Sequence, residues 1–177
     1  MSAPATPPPV RIVPYDPARA DHRAAFRDLN IAWIERYFVV EPRDRHELDD
    51  PEGHVLATGG RIFMAEAGDA VLGTCALLPM GDDAWELAKM AVREDARGRG
   101  VGRMLGESVI AAARESGAAR VELLSNRRLA PAIALYRRLG FVEAPMHPTE
   151  YARANIRMVH ALGHDTGGAA SLHSARR

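Results

Sequence analysis

One cysteine, one lysine and no long apolar run set the first limits on this 177-residue chain. A lone Cys75 excludes an intrachain disulfide and any metal site built from several cysteines. Within a strand-like run it reads as a small buried hydrophobe rather than a nucleophile. No apolar stretch approaches the roughly twenty residues that span a bilayer, and the first residues lack a secretory-signal layout. The expectation is a cytoplasmic protein with no membrane partner. Neither sign of charge is in excess, since 23 lysines and arginines balance 23 acidic residues. A general nucleic-acid binder carries a basic surplus, so no nucleic-acid partner is expected, although the arginines keep that reading as the weakest alternative. Lys89 is the one lysine, which reads as codon preference. The seven histidines are scattered without a third ligand at metal spacing, so no metal site is expected. No Gly-x-Ser-x-Gly elbow is present.

A hydrophobic content of 47% and a charged content of 26% are ordinary for a globular chain of one domain. Residues 1–9 are rich in Pro and Ala and read as a disordered arm. Residues 163–177 carry no apolar period and read as a flexible tail, which leaves the domain at 10–162. Residues 10–14 read as a strand. Residues 21–38 have helical spacing, with Phe26, Leu29, Trp33 and Ile34 on one face. A short helix at 43–48 ends before Pro51. Residues 61–67 and 71–78 form a hairpin about Gly68-Asp69, and 79–83 read as a further turn before a strand at 85–92. An amphipathic helix at 101–116 shows Val101, Met104, Leu105, Val109 and Ala112 on one stripe. A strand at 120–125, a helix at 131–139 and strands at 141–144 and 156–161 complete the order β-α-α-β-β-β-α-β-α-β-β. The fold class is therefore α/β, a mixed sheet with helices on it.

The most informative segment is Arg97-Gly98-Arg99-Gly100-Val101-Gly102. Glycines between a strand and a helix allow a tight turn that leaves amide N–H groups uncovered. The helix start adds unsatisfied donors and a partial positive charge. Together they form a cradle for an anion, best matched by a pyrophosphate, with Arg97, Arg99 and Arg103 around it. An ordinary Gly-rich turn is the plain alternative. A dinucleotide fingerprint does not fit, because the loop is mid-chain and Leu105 stands where the third glycine belongs.

Strand, Arg-x-x-Gly-x-Gly loop and helix, followed by Leu135-Tyr136 and Gly140-Phe141, resemble the GCN5-related N-acetyltransferases (GNAT). The leader is similar to one bacterial branch of that family, some of whose members are fused to MarR-type regulators. Leu29-Asn30, Trp33-Ile34-Glu35, Tyr37-Phe38, Glu41-Pro42, Asp44, Gly59-Gly60, residues 86–90, Tyr151 and Arg153-Ala154-Asn155 carry that likeness. The resemblance implies a fold with its fourth and fifth strands splayed. It also implies acetyl-CoA as cosubstrate, or another short acyl-CoA, and a small-molecule or peptide amine as acceptor; a homodimer is possible.

By the same resemblance, residues 97–103 hold the diphosphate of the cofactor: Arg97, Gly98, Arg99, Gly100, Val101, Gly102 and Arg103. The pantetheine pairs with the open edge of the fourth strand at Val92, and the Met90 N–H polarises the thioester carbonyl. Leu129 stands where many members carry a pantetheine-contacting Asn, and Asn126 is the nearby substitute. Glu86 is expected on the same strand face as Met90, as general base, with Lys89 on the opposite face as a salt-bridge or surface residue. Tyr136 is expected to protonate the leaving thiolate. Solvated or ligand-binding roles for Glu86, and a core role for Tyr136, are the plain alternatives. For the acceptor, Trp33, Tyr37 and Phe38 offer aromatic walls and Glu35, Glu41 and Asp44 negative charge, with Asn155 as a hydrogen-bonding group. Core packing and solvation are the competing roles for these residues. The leading function is an N-acetyltransferase working through a ternary complex; the runner-up is a non-catalytic acyl-CoA-binding or regulatory module.

Overall fold

A computed structural model of the chain describes residues 8–81 and 83–163. Most of the expected arm and tail lies outside them. Arg11–Pro14 (β1), Arg61–Ala67 (β2), Ala70–Gly81 (β3) and Ala84–Val92 (β4) form an antiparallel meander. Arg120–Ser125 (β5) runs parallel to β4, and Val142–Ala144 (β6) and Ile156–Ala161 (β7) close a seven-stranded sheet ordered β1-β2-β3-β4-β5-β7-β6. The helices are Ala20–Tyr37 (α1), Pro42–Asp49 (α2), Val101–Glu115 (α3) and Ala130–Arg138 (α4). This is the mixed α/β order read from the sequence.

Strand alternation sends apolar side chains to both faces. Leu72, Leu77, Leu87 and Leu123 meet Val101, Leu105 and Val109 of α3 in one core. Ile62, Met64 and Ala76 meet Phe26 and Ile34 of α1 and Leu48 of α2 in the other. Gly106 lets α3 approach α4, because a Cβ there would lie 2.4 Å from Leu139 Cδ1.

Three details differ from the sequence reading. The buried stripe of α1 is His22, Phe26, Asn30 and Ile34, while Leu29 and Trp33 are only partly covered. The two polar members are tolerated because they are bonded. Asp16 N–H donates to His22 Nδ1 at 3.0 Å, so Nε2 carries the proton shared with Glu66 at 2.8 Å. Asn30 donates to Phe26 O at 2.9 Å. Next, β3 continues through Pro79 to Gly81, so the reversal before β4 is shorter than residues 79–83. Pro79 is accommodated by a register irregularity at that end of the ladder, where a missing donor is tolerated. Short helical turns also form at Glu52–Leu56 and Glu94–Ala96, where the sequence reading assigns no element.

Candidate active site

The glycine loop ends where α3 begins. Gly98 and Gly100 have φ of +76° and +78°, the left-handed region that side chains resist. A Cβ at either would meet nothing within 4 Å, so the turn itself, and not crowding, requires glycine there. Among the described residues, no backbone N–H of residues 98–103 donates to a protein group, and pairing resumes with Met104 N–H to Gly100 O at 3.0 Å. No acidic residue stands in the first turn of α3. A row of open donors at a helix start suits an anion. Arg97 and Arg99 are exposed beside it, and Arg103 is tied to Glu107 at 2.7 Å. Gly102 sits against β4 and α4: a Cβ on it would be 3.1 Å from Leu135 and 3.8 Å from Val92.

β4 and β5 pair over three positions only, Ala84 with Arg120, Trp85 with Val121 and Glu86 with Glu122. Beyond Glu86, β4 stays with β3 while β5 pairs with β7 as far as Ser125. The strands therefore part beyond Glu86. The same stretch of β4 carries a bulge. Ala88 faces Ala76 and Ala91 faces Thr74, so Lys89 and Met90 together stand across from Cys75 without ladder partners. Lys89 has φ +51°.

The extra residue reverses the alternation. Met90 and Val92 pack with Trp85 and Leu87 in the α3 core, whereas Ala88 belongs to the α1 core and Glu86 shares its face. The expectation that Glu86 and Met90 share a face is thus corrected. So is the placement of Lys89 opposite Glu86, since both lie on the α2 side and interact electrostatically. Lys89 does form salt bridges, but it is buried rather than at the surface, with its side chain 4% exposed.

Two cavities meet at Glu86. One of about 90 Å³ lies in the gap between the strands and is lined by Met90, Tyr136, Leu129, Asn126 and Trp33. The other, of about 640 Å³, opens between α2, the far end of β3 and residues 147–150. The half-buried Glu86 carboxylate accepts no hydrogen bond from a protein group among the described residues. Burial raises its pKa; Arg43 and Lys89 oppose the shift, and Glu47 and Glu122 add to it, the ordinary consequence of desolvation and of neighbouring charge. The Tyr136 ring meets Phe141 edge-on at 6.1 Å. Its hydroxyl has no protein hydrogen-bond partner among the described residues, and burial pushes its pKa up, keeping the phenol protonated. Cys75 is fully buried, and its thiol is pushed up by burial, as suits a core residue. Among the described residues no group of three His, Cys, Asp or Glu side chains is placed to hold a metal, and no helix is long and apolar enough to cross a membrane.

Beside Glu86 lies a buried ionic cluster. Lys89 Nζ donates to Asp44 Oδ1 at 2.8 Å and to the Tyr151 hydroxyl at 2.8 Å, and lies 2.9 Å from Glu47 Oε2. Arg153 grips Asp44 with both terminal nitrogens, at 2.7 and 2.8 Å, and reaches Glu41 at 3.0 Å. Burial raises the Asp44 pKa, but the Arg153 hydrogen bonds and the Lys89 charge outweigh it and hold the carboxyl at about 2, because both favour the charged form.

This arrangement revises the acceptor-side expectations. Glu41 caps α2, accepts from Ala152 N–H at 3.1 Å and pairs with Arg153, so its charge is taken, as is that of Asp44. Asn155 Oδ1 accepts from Arg127 N–H at 2.8 Å, a loop-fixing role. Tyr37 is exposed and outside both cavities, although its ring meets that of Trp33 at a tilt, with centroids 5.7 Å apart. Asn126 lines the smaller cavity, but its amide donates to Arg153 O at 2.6 Å and accepts from Arg128 N–H at 2.9 Å. Sequence reasoning missed Arg43, Glu47 and the cluster as a unit. The available signal was the solitary lysine in a chain that otherwise uses arginine.

Residues 58–143 match the acetyltransferase (GNAT) domain model, and the seven-stranded mixed sheet has a GNAT-like fold. A curated relative, rat N-acetyltransferase family 8 member 2, is 29% identical over 116 residues, covering 63% of this chain and 51% of that protein. The chain thus spans about half the length of the curated relatives it matches. A GNAT-family acetyltransferase from Staphylococcus aureus superposes with a TM-score of 0.78 at 19% identity, covering 88% of this chain and all of that one. A Bacillus subtilis acetyltransferase solved with CoA gives 0.65 at 20% identity, with 87% and 99% covered. At such identities the solved structures establish the fold.

Proposed function

We propose that the protein is an N-acetyltransferase that moves the acetyl group of acetyl-CoA onto a primary amine by direct attack in a ternary complex. One observation carries the reading: the open backbone donors of residues 98–103 abut the end of β4, on the stretch of that strand that runs free of β5 after Glu86. The residues fit coenzyme A. Glycines and α3 dipole take the diphosphate, Arg97, Arg99 and Arg103 add charge, and the free edge of β4 near Val92 offers main-chain groups to the pantetheine. The CoA held by the Bacillus subtilis neighbour supports the same assignment.

The thioester supplies an activated acyl group, so no covalent enzyme intermediate is needed. The chain's residues supply the rest. The Met90 N–H stabilises negative charge developing on the acyl oxygen. Glu86, with a pKa raised toward the working range, accepts a proton from the amine that enters through the larger cavity. Tyr136, a protonated phenol without a protein partner, donates to the departing sulfur. The leader residues extend the reading to the branch with MarR-fused members. Its support is that Glu41, Asp44, Lys89, Tyr151 and Arg153, all part of that likeness, meet in one cluster.

A panel of amines with free-thiol release from acetyl-CoA tests the proposal. We expect turnover with at least one amine, a large kcat loss for Glu86→Gln across pH 6–9, and roughly a ten- to thousand-fold loss for Tyr136→Phe. Calorimetric binding of acetyl-CoA without release on every amine would favour the non-catalytic module.

A further inference from the structure

Lys89 breaks β4 with a left-handed backbone that a lysine disfavours. What holds it lies at the far end of its side chain. An ammonium group has three donors. Asp44, Glu47 and Tyr151 meet this one at 2.8, 2.9 and 2.8 Å. The acceptors come from α2 and from the segment before β7, so the bulge is tied to two elements outside the sheet's central ladder. The Tyr151 ring is itself fixed, with the guanidinium carbons of Arg43 and Arg153 over it at 5.1 and 4.7 Å. The ammonium is buried within this cage, which removes it as a group for the substrate to touch. A planar guanidinium does not offer three converging donors, which accounts for a lysine at this one position of an arginine-rich chain.

The bulge has two consequences at the reacting centre. Without it, alternation would put Glu86 and Met90 on one face. With it, Glu86 faces the larger cavity, while Met90 is turned to the α3 side in a stretch with no ladder partner. Resting on the acetyltransferase reading above, we propose that Lys89 is a positioning residue. Its tether to Asp44, Glu47 and Tyr151 fixes the bulge that presents the Met90 N–H to the acyl carbonyl and keeps Glu86 on the acceptor side.

Isotope-edited infrared spectroscopy of the full chain with acetyl-CoA labelled at the acetyl carbonyl reads that contact, and calorimetry gives the affinities for CoA and acetyl-CoA. In wild-type protein we expect the carbonyl stretch to fall below its value in free solution, and acetyl-CoA to bind more tightly than CoA. Lys89→Met should return the stretch toward the free value and reduce the preference for acetyl-CoA by about five- to tenfold, the size of one polar contact. CoA affinity, set by the glycine loop, should stay within about twofold of wild type, well below the effect of a single contact. Tyr151→Phe keeps the ring, removes one of the three partners and should give an intermediate shift; it carries the test if Lys89→Met fails to fold. An unshifted stretch and unchanged preference in the folded variants overturn the proposal. Wild-type protein that binds both ligands but leaves the carbonyl at its free frequency overturns the positioning role alone. Wild-type protein that binds neither ligand defeats the acetyltransferase reading, and this proposal with it.

Discussion

The glycine loop follows the end of β4 and the Lys89 cluster is anchored within the same strand, yet the two treat polar groups in opposite ways. At the loop, the amide hydrogens of residues 98–103 meet no protein acceptor among the described residues, and Gly98, Arg99, Gly100 and Arg103 are exposed. At the cluster, Asp44, Lys89 and Glu47 are buried, and each charge is met by another. Open valences at a helix start cost little while water fills them, and they become useful when an anion replaces the water. Buried charges cannot be left open, because the desolvation penalty is too large. On the proposed reading, the first region is suited to bind an anion, and the second to hold the bulge in place.

The largest effect that would sharpen this contrast is expected at Asp44. It is fully buried and serves both Lys89 and Arg153. Asp44→Ala removes the carboxylate that Lys89 and Arg153 share, leaving Glu47 and Glu41 to meet the two cations, and should cost about 3–5 kcal/mol in urea unfolding at neutral pH. The folded pKa of about 2 lies below the ordinary 3.8. The stability Asp44 contributes is thus complete above the ordinary value and drains as pH falls through the lowered one. The variant should lose that part of the acid limb. A cost below about 1 kcal/mol would mean that the cluster behaves like exposed ion pairs, and the comparison would break.

The loop should respond differently. Gly100→Val adds atoms where nothing lies within 4 Å, so its stability cost comes from φ +78° alone. A side chain held in the left-handed region should cost about 1–2 kcal/mol. The larger signature should be functional, since rotating the turn misaligns the donors. We expect CoA affinity to fall by about tenfold or more, equivalent to about 1.4 kcal/mol. Weakened folding with unchanged CoA affinity would remove the loop from the binding site.

The loop was legible from sequence because everything it needs is local. Glycines, arginines and a helix start occupy seven consecutive residues, 97–103, and the element order around them follows from short-range periodicity. The parting of β4 from β5 came with the family resemblance. The cluster was not legible, because its pairs are 45, 62 and 109 residues apart in the chain. Glu41, Asp44 and Lys89 were given surface or ligand-facing roles because charged residues usually belong there. The bulge escaped for a related reason. Alternation was extended through 86–90 unbroken, and a lysine at positive φ carries no local signature. His22 and Asn30 show the same limit on α1, where polar residues fill a core stripe because distant or backbone partners satisfy them.

Glu86 is the exception within the closed region, and the smallest predicted effect concerns it. It neighbours Lys89, Arg43, Glu47 and Glu122, yet hydrogen-bonds to none of them. Its pKa is raised in the folded state, chiefly by burial, so the folded protein holds this proton more tightly than the unfolded chain. Stability from this group is therefore greatest at low pH and falls as pH rises from the ordinary glutamate value through the raised one. Glu86→Gln removes the charge that causes the loss. Relative to wild type it should be slightly more stable at pH 8 and no more stable at pH 4, measured by paired urea titrations, while catalysis is impaired. Structural carboxylates such as Asp44 should show the reverse, losing stability when neutralised at neutral pH. If Glu86→Gln destabilised the protein at pH 8 as Asp44→Ala does, Glu86 would belong to the scaffold, and the open carboxylate would not be the proton acceptor.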